Sequence, residues 1–102
     1  MAVILPEEIV VQEIEKFIES QDYWYMKTHG DRFGKSGIPD IIVCVNGHFV
    51  SFEVKRHSGG VASPLQKYNE QKIKMNNGVC EFITDSKVAI DIMKEVDSIE
   101  HS

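Results

Sequence analysis

The step Val45-Asn46-Gly47-His48 constrains this chain more tightly than any other feature. Asn-Gly accepts positive φ at both central positions, so it favours a two-residue type I′ turn whose twist matches that of two flanking strands. The flanks are "PDIIVCV" and "HFVSFEVKR", both rich in β-branched and aromatic residues. Such a turn pairs residue 45 with residue 48 and leaves no freedom in the register beyond it. Asp40 then falls opposite Glu53, with β-carbons about 5 Å apart. Alternation places Phe49, Ser51, Glu53 and Lys55 on one side of the second strand and Val50, Phe52 and Val54 on the other. Asp40, Glu53 and Lys55 thus converge on one patch.

Two carboxylates directly opposed destabilise a hairpin unless something compensates them. One answer is a salt-bridge cluster with Lys55 on a solvated sheet face. The other is a divalent cation. Mg²⁺ takes oxygen ligands from one or two carboxylates and keeps room for waters and a substrate phosphate. Beside it, Lys55 would orient a water or stabilise charge developing on phosphorus. The acids follow Gly37-Ile38-Pro39, a backbone constraint just before the strand, and lie next to a glycine-rich basic loop. That context favours the metal.

The charge distribution is consistent with a phosphate-bearing partner. The net charge is −5, but eight of the eleven basic residues and only four of the sixteen acids lie between Lys27 and Lys74. A basic centre within an acidic chain supports local phosphate binding. At 102 residues, with 42% hydrophobic and 26% charged residues, the composition is that of one soluble domain. No apolar run reaches the length of a membrane span, and "MAVILPEE" has neither a charged leader nor a cleavage site, so a cytoplasmic protein without membrane contact is expected. Cys44 and Cys80 sit in apolar segments and read as buried free thiols, with no zinc-like Cys/His spacing.

Along the chain, Pro6-Glu7-Glu8 opens a helix that ends near Ser20, with Val10, Ile14, Phe17 and Ile18 as its buried stripe. "DYWYMKTH" reads as a strand whose Tyr23, Trp24 and Tyr25 belong to the core. "GDRFGKSG" reads as an exposed, mobile loop, and "HSGGVA" as a second flexible connection. Ser63-Pro64-Leu65-Gln66 carries a capping-box pattern with Pro at the first helical position, and Gly78 supplies the stop. "VCEFIT" is a strand, and Asp85 caps a final helix with Val88, Ala89, Ile92 and Val96 on one face. The order is α-β-β-β-α-β-α.

In that order, Gly37-Ile38-Pro39-Asp40 followed by Glu53-Val54-Lys55 resembles the PD-(D/E)XK nuclease signature. With Arg56 after the lysine, "SGIPDIIV…FVSFEVKR…SPLQ" is similar to the VRR-NUC branch in its small stand-alone, phage-like form, over about residues 7 to 84. The resemblance implies a single VRR-NUC-like domain over 1–102 with a restriction-endonuclease-like α/β core, a central mixed sheet flanked by helices. It implies Mg²⁺- or Mn²⁺-dependent hydrolysis of DNA phosphodiesters. In the short members it implies a homodimer acting on branched DNA such as Holliday junctions. Position by position, Asp40 and Glu53 would be metal ligands, with the Val54 carbonyl completing the set and Lys55 acting on water or transition-state charge. An acid on the first helix belongs to the pattern; Glu8 is the choice, with Glu7 and Glu13 as rivals. Gln66 matches the downstream glutamine of the family, or serves only as the reciprocal half of the Ser63 cap. One side chain is not expected to do both easily. Some members carry Val-Arg-Arg where this chain has Val54-Lys55-Arg56, and the lysine is the residue that the wider superfamily uses.

For DNA contact the candidates are Lys27, Arg32, Lys35, Arg56 and Lys67, with Lys72 and Lys74 extending the track or merely solubilising the helix. His29 and His57 flank the site in loops and read as exposed side chains before proton shuttles. The functional expectation is a structure-selective endonuclease. Its alternatives are a non-catalytic junction-binding module on the same fold, and a protein–protein adaptor with an incidental acid pair.

Overall fold

The computed structural model describes residues 5–28, 37–56 and 61–99. The expectations for His29, Arg32, Lys35 and His57 lie outside these residues. Chain order is α1 (Glu7–Ser20), β1 (Trp24–Lys27), β2 (Ile41–Val45), β3 (His48–Val54), α2 (Pro64–Met75), β4 (Val79–Ile83) and α3 (Ser86–Asp97). This is the α-β-β-β-α-β-α order read from the sequence.

The strands form one sheet in the order β1-β2-β3-β4, antiparallel except for the parallel β3–β4 pair. The hairpin turn is as the Asn-Gly step requires, with φ of 50° at Asn46 and 82° at Gly47. Val45 pairs with His48 and Ile41 with Phe52, the anticipated register. Asn46 has a further role: its side-chain amide donates to the Asp97 and Ile99 carbonyls at 3.3 and 2.9 Å. It thereby covers carbonyls at the C-terminal end of α3 that have no helical donor.

The two faces of the sheet are unlike. One carries Val43, Val45, Val50, Phe52 and Val54 against α1 (Val10, Val11, Ile14, Ile18) and α3 (Ala89, Met93, Val96), all buried. The stripe on α3 differs from the reading by periodicity. Val88 is 48% exposed, and Met93 takes the buried place, because Ala89, Met93 and Val96 follow the sheet at i, i+4 and i+7. The other face meets α2, a crossover helix in which no residue is buried. Among the described residues α2 packs chiefly on β4 and leaves the β1–β2 part of this face exposed at Trp24 and Cys44. Trp24, 65% exposed, and Cys44 therefore face outward, contrary to their assignment to the core. Tyr23 and Tyr25 do pack against the core, their hydroxyls bonded to Asp97 and to Glu15 and Glu19.

Two glycines set how closely α2 approaches. Gly37, read as part of an exposed loop, is buried with φ +72°, and a β-carbon there would sit 2.7 Å from the Leu65 carbonyl carbon. Gly78 is not the left-handed stop; Asn77 takes that conformation at φ 66°. Gly78 instead admits Ile73, whose Cγ2 would lie 2.7 Å from an added β-carbon.

Candidate active site

The site forms where the α2-facing side of β3 runs under the first turn of that helix. Asp40 is the last residue before β2, and its placement has three supports. The Thr28 amide donates to the Asp40 carbonyl at 2.7 Å, while the buried Thr28 hydroxyl donates to the Pro39 carbonyl. Asn69 of α2 donates its side-chain amide to the Gly37 carbonyl at 2.8 Å. The Asp40 carboxyl itself accepts from the Val54 amide at 2.7 Å, reaching across to the strand that carries Glu53.

Glu53 is 5% exposed, so this is not the solvated salt-bridge patch weighed from the sequence. Burial first, and then hydrogen-bond contact with Asp40 and its charge, push the Glu53 carboxyl up to about 9, against the opposing pull of Lys55 and Gln66. The coupled Asp40–Glu53 pair therefore favours holding a proton. The sequence alone placed two like charges face to face; the fold resolves the conflict by holding one of them neutral.

Gln66 joins the elements. Its Oε1 accepts from the Ser63 amide at 2.9 Å and from Lys55 Nζ at 2.8 Å, while its Nε2 donates to Glu53 Oε1 at 2.8 Å. The Ser63 hydroxyl accepts from the Gln66 amide at 3.1 Å, completing the capping box. Cap and site contact were expected to compete for this side chain. They do not, because a carbonyl oxygen has two lone pairs and the amide nitrogen is left to donate elsewhere. Lys55 is further placed by its Nζ lying 5.8 Å from the centre of the Phe82 ring.

Other expected participants are distributed less tightly. Glu7, Glu8 and Pro6 share with Arg56 a recess of about 310 Å³ at the end of β3. Among the described residues, no three His, Cys, Asp or Glu side chains form a group suited to a metal, so Glu8 is not gathered with Asp40 and Glu53. Val54 is buried, its amide engaged by Asp40. Lys27 is paired with Glu15 at 3.2 Å, and Lys74 with Glu70 at 3.0 Å. Lys67 lies with Lys55, Val61, Ala62 and Phe82 around a second recess of about 340 Å³.

Thr28, Asn69 and Phe82 were not anticipated. Asn69 lies three residues after Gln66, on the same side of a helix, which is the one local signal for it. Phe82 pairs with Glu53 in the parallel register, a relation invisible without β4 in place.

Comparison with family models, curated proteins and solved structures returns no match. The resemblance noted from the sequence therefore rests on its motifs alone.

Proposed function

We propose that this chain is a Mg²⁺- or Mn²⁺-dependent endonuclease of restriction-endonuclease-like fold, hydrolysing DNA phosphodiesters with a preference for branched structures. The observation that carries the reading is the buried Glu53 carboxyl in contact with that of the half-buried Asp40 and tied to Lys55 through one amide group. Setting a buried carboxyl against a half-buried one costs free energy unless a proton or a cation lies between them. A divalent ion in place of the shared proton relieves their repulsion and suits an all-oxygen donor set. Asp40 and Glu53 would hold it, with water, substrate and the Val54 carbonyl as further oxygen donors, and the ion would supply Lewis acidity toward a phosphoryl oxygen. Lys55, fixed by Gln66 and Phe82, stands ready to orient a nucleophilic water or to balance charge on the phosphoryl group. Glu8 is the candidate to reach the site once DNA and metal are bound.

Opposed cuts at a four-way junction need two sites related by symmetry, so the active species in this reading is a homodimer. Expression from a phage or prophage in a bacterial cytoplasm fits the same resemblance. Among the described residues no third acid joins Asp40 and Glu53, and the rival reading, a junction-binding module without catalysis, needs none.

The test is cleavage of a labelled four-way junction, duplex and single strand by wild type and Lys55→Ala, with Mg²⁺, Mn²⁺ or EDTA. Paired, metal-dependent cuts at the junction that vanish in the variant support the proposal. Cutting of all substrates alike removes the branch preference, and binding without cutting in either metal favours the module.

A further inference from the structure

The recess between Lys55 and Lys67 is not required to hold the carboxyl pair, yet it opens beside it. Its about 340 Å³ are within the size that seats a small ligand. One wall is cationic, from Lys55 and Lys67, and the rest is Val61, Ala62 and Phe82. Within the basic centre the two lysines differ from Lys27 and Lys74. Lys27 and Lys74 are already neutralised by Glu15 and by Glu70, whereas Lys67 has no carboxylate partner among the described residues. An unpaired ammonium beside an apolar wall and an aromatic ring matches a nucleotide, which joins an anionic phosphate to a flat, largely apolar base.

Resting on the nuclease reading above, we infer that this recess seats the nucleotide next to the scissile phosphate. Its phosphate lies on Lys67, and its sugar and base lie against Val61, Ala62 and Phe82. Lys55 faces the reacting phosphate and Lys67 the neighbouring one on the same strand. The site thereby engages two successive phosphates, and a substrate with only one forgoes half of the anion contacts.

The experiment compares binding of the thymidine dinucleotide TpT, with one phosphate, and the trinucleotide TpTpT, with two. Affinities come from NMR titration of the full chain, with Ca²⁺ replacing Mg²⁺ to prevent turnover. Wild type is expected to bind TpTpT about tenfold more tightly than TpT, the size of one charge-assisted contact. Lys67→Ala should collapse that ratio toward one, and Ala62→Phe should do the same by filling the recess with the charge intact. Lys74→Ala, whose ammonium is already paired, should keep the ratio. A trinucleotide advantage that survives both Lys67→Ala and Ala62→Phe overturns the inference. So does an advantage lost equally in Lys74→Ala, which would mark diffuse electrostatics. Junction cleavage by the same proteins separates the two readings. A wild type that cuts nothing, yet shows the Lys67-dependent ratio, removes the nuclease and keeps the recess. Cutting with no trinucleotide advantage does the reverse.

Discussion

β3 presents two faces made by the same seven residues, and they are stabilised by opposite means. Toward α1 and α3 it offers Val50, Phe52 and Val54 to a dry, close-packed layer. Toward α2 it offers Phe49, Ser51 and Glu53 to a helix that buries none of its own side chains. The first face is held by apolar area, at about 1.5–3 kcal/mol for each large side chain removed from water. The second is held by a short set of directed bonds: the Ser63 cap, Gln66 on Glu53 and Lys55, and Asn69 on Gly37. Apolar packing is insensitive to direction and tolerates no charge. Directed bonds fix individual atoms and allow a carboxyl pair to stay, which is what a reactive site needs. The lesson is that one strand can separate stability from chemistry by alternation alone.

The sharpest way to break this division is Phe52→Ala. The loss should be about 3–5 kcal/mol in urea unfolding, enough to unfold a domain of marginal stability. On the opposite face, Lys55→Ala should leave unfolding nearly unchanged while cleavage rate falls by about 10²–10³. A stability loss in Lys55→Ala as large as that in Phe52→Ala would contradict the separation.

Glu53 sharpens the comparison through pH. Its folded-state pKa of about 9 lies above the ordinary 4.5. Between these values the unfolded chain releases a proton that the folded chain retains, so stability is greatest at the acid end and falls as pH rises through the window. Thermal unfolding across that range should show the decline in wild type and a much flatter profile in Glu53→Gln. Millimolar Mn²⁺, by favouring the ionised pair, should flatten the wild-type profile and leave the variant unaffected.

Gly37→Ala tests the docking of α2. A β-carbon at 2.7 Å from backbone, on a residue at φ +72°, should cost roughly 1–3 kcal/mol and displace the turn that carries Asp40. The smallest effect belongs to Ser63→Ala, about 1 kcal/mol for the lost cap. Because Gln66 serves cap and site together, that variant should also lower activity by more than its stability loss explains. A purely structural cap would leave the rate untouched.

Much of this architecture is local and was therefore readable. The Asn46-Gly47 turn fixes its own register through φ, and the register puts Asp40 across from Glu53. Ser63 with Gln66, and Asp85 before α3, announce helix starts by side chains that reach only two or three residues. Contacts between distant segments decided the rest. Whether Glu53 keeps its proton depends on α2 covering it. That Gln66 could serve cap and lysine together needed β3 to arrive at its free lone pair. Trp24 and Cys44 sit in apolar strands yet face outward, because α2 stops short of β1 and β2. Thr28 enters the site from just after β1, Asn69 from α2 and Phe82 from β4. Periodicity and turn chemistry act over a few residues, so the sequence alone determined which elements form and which side chains share a face. Burial and proton affinity are properties of what lies opposite, and only the packed fold brings that into place.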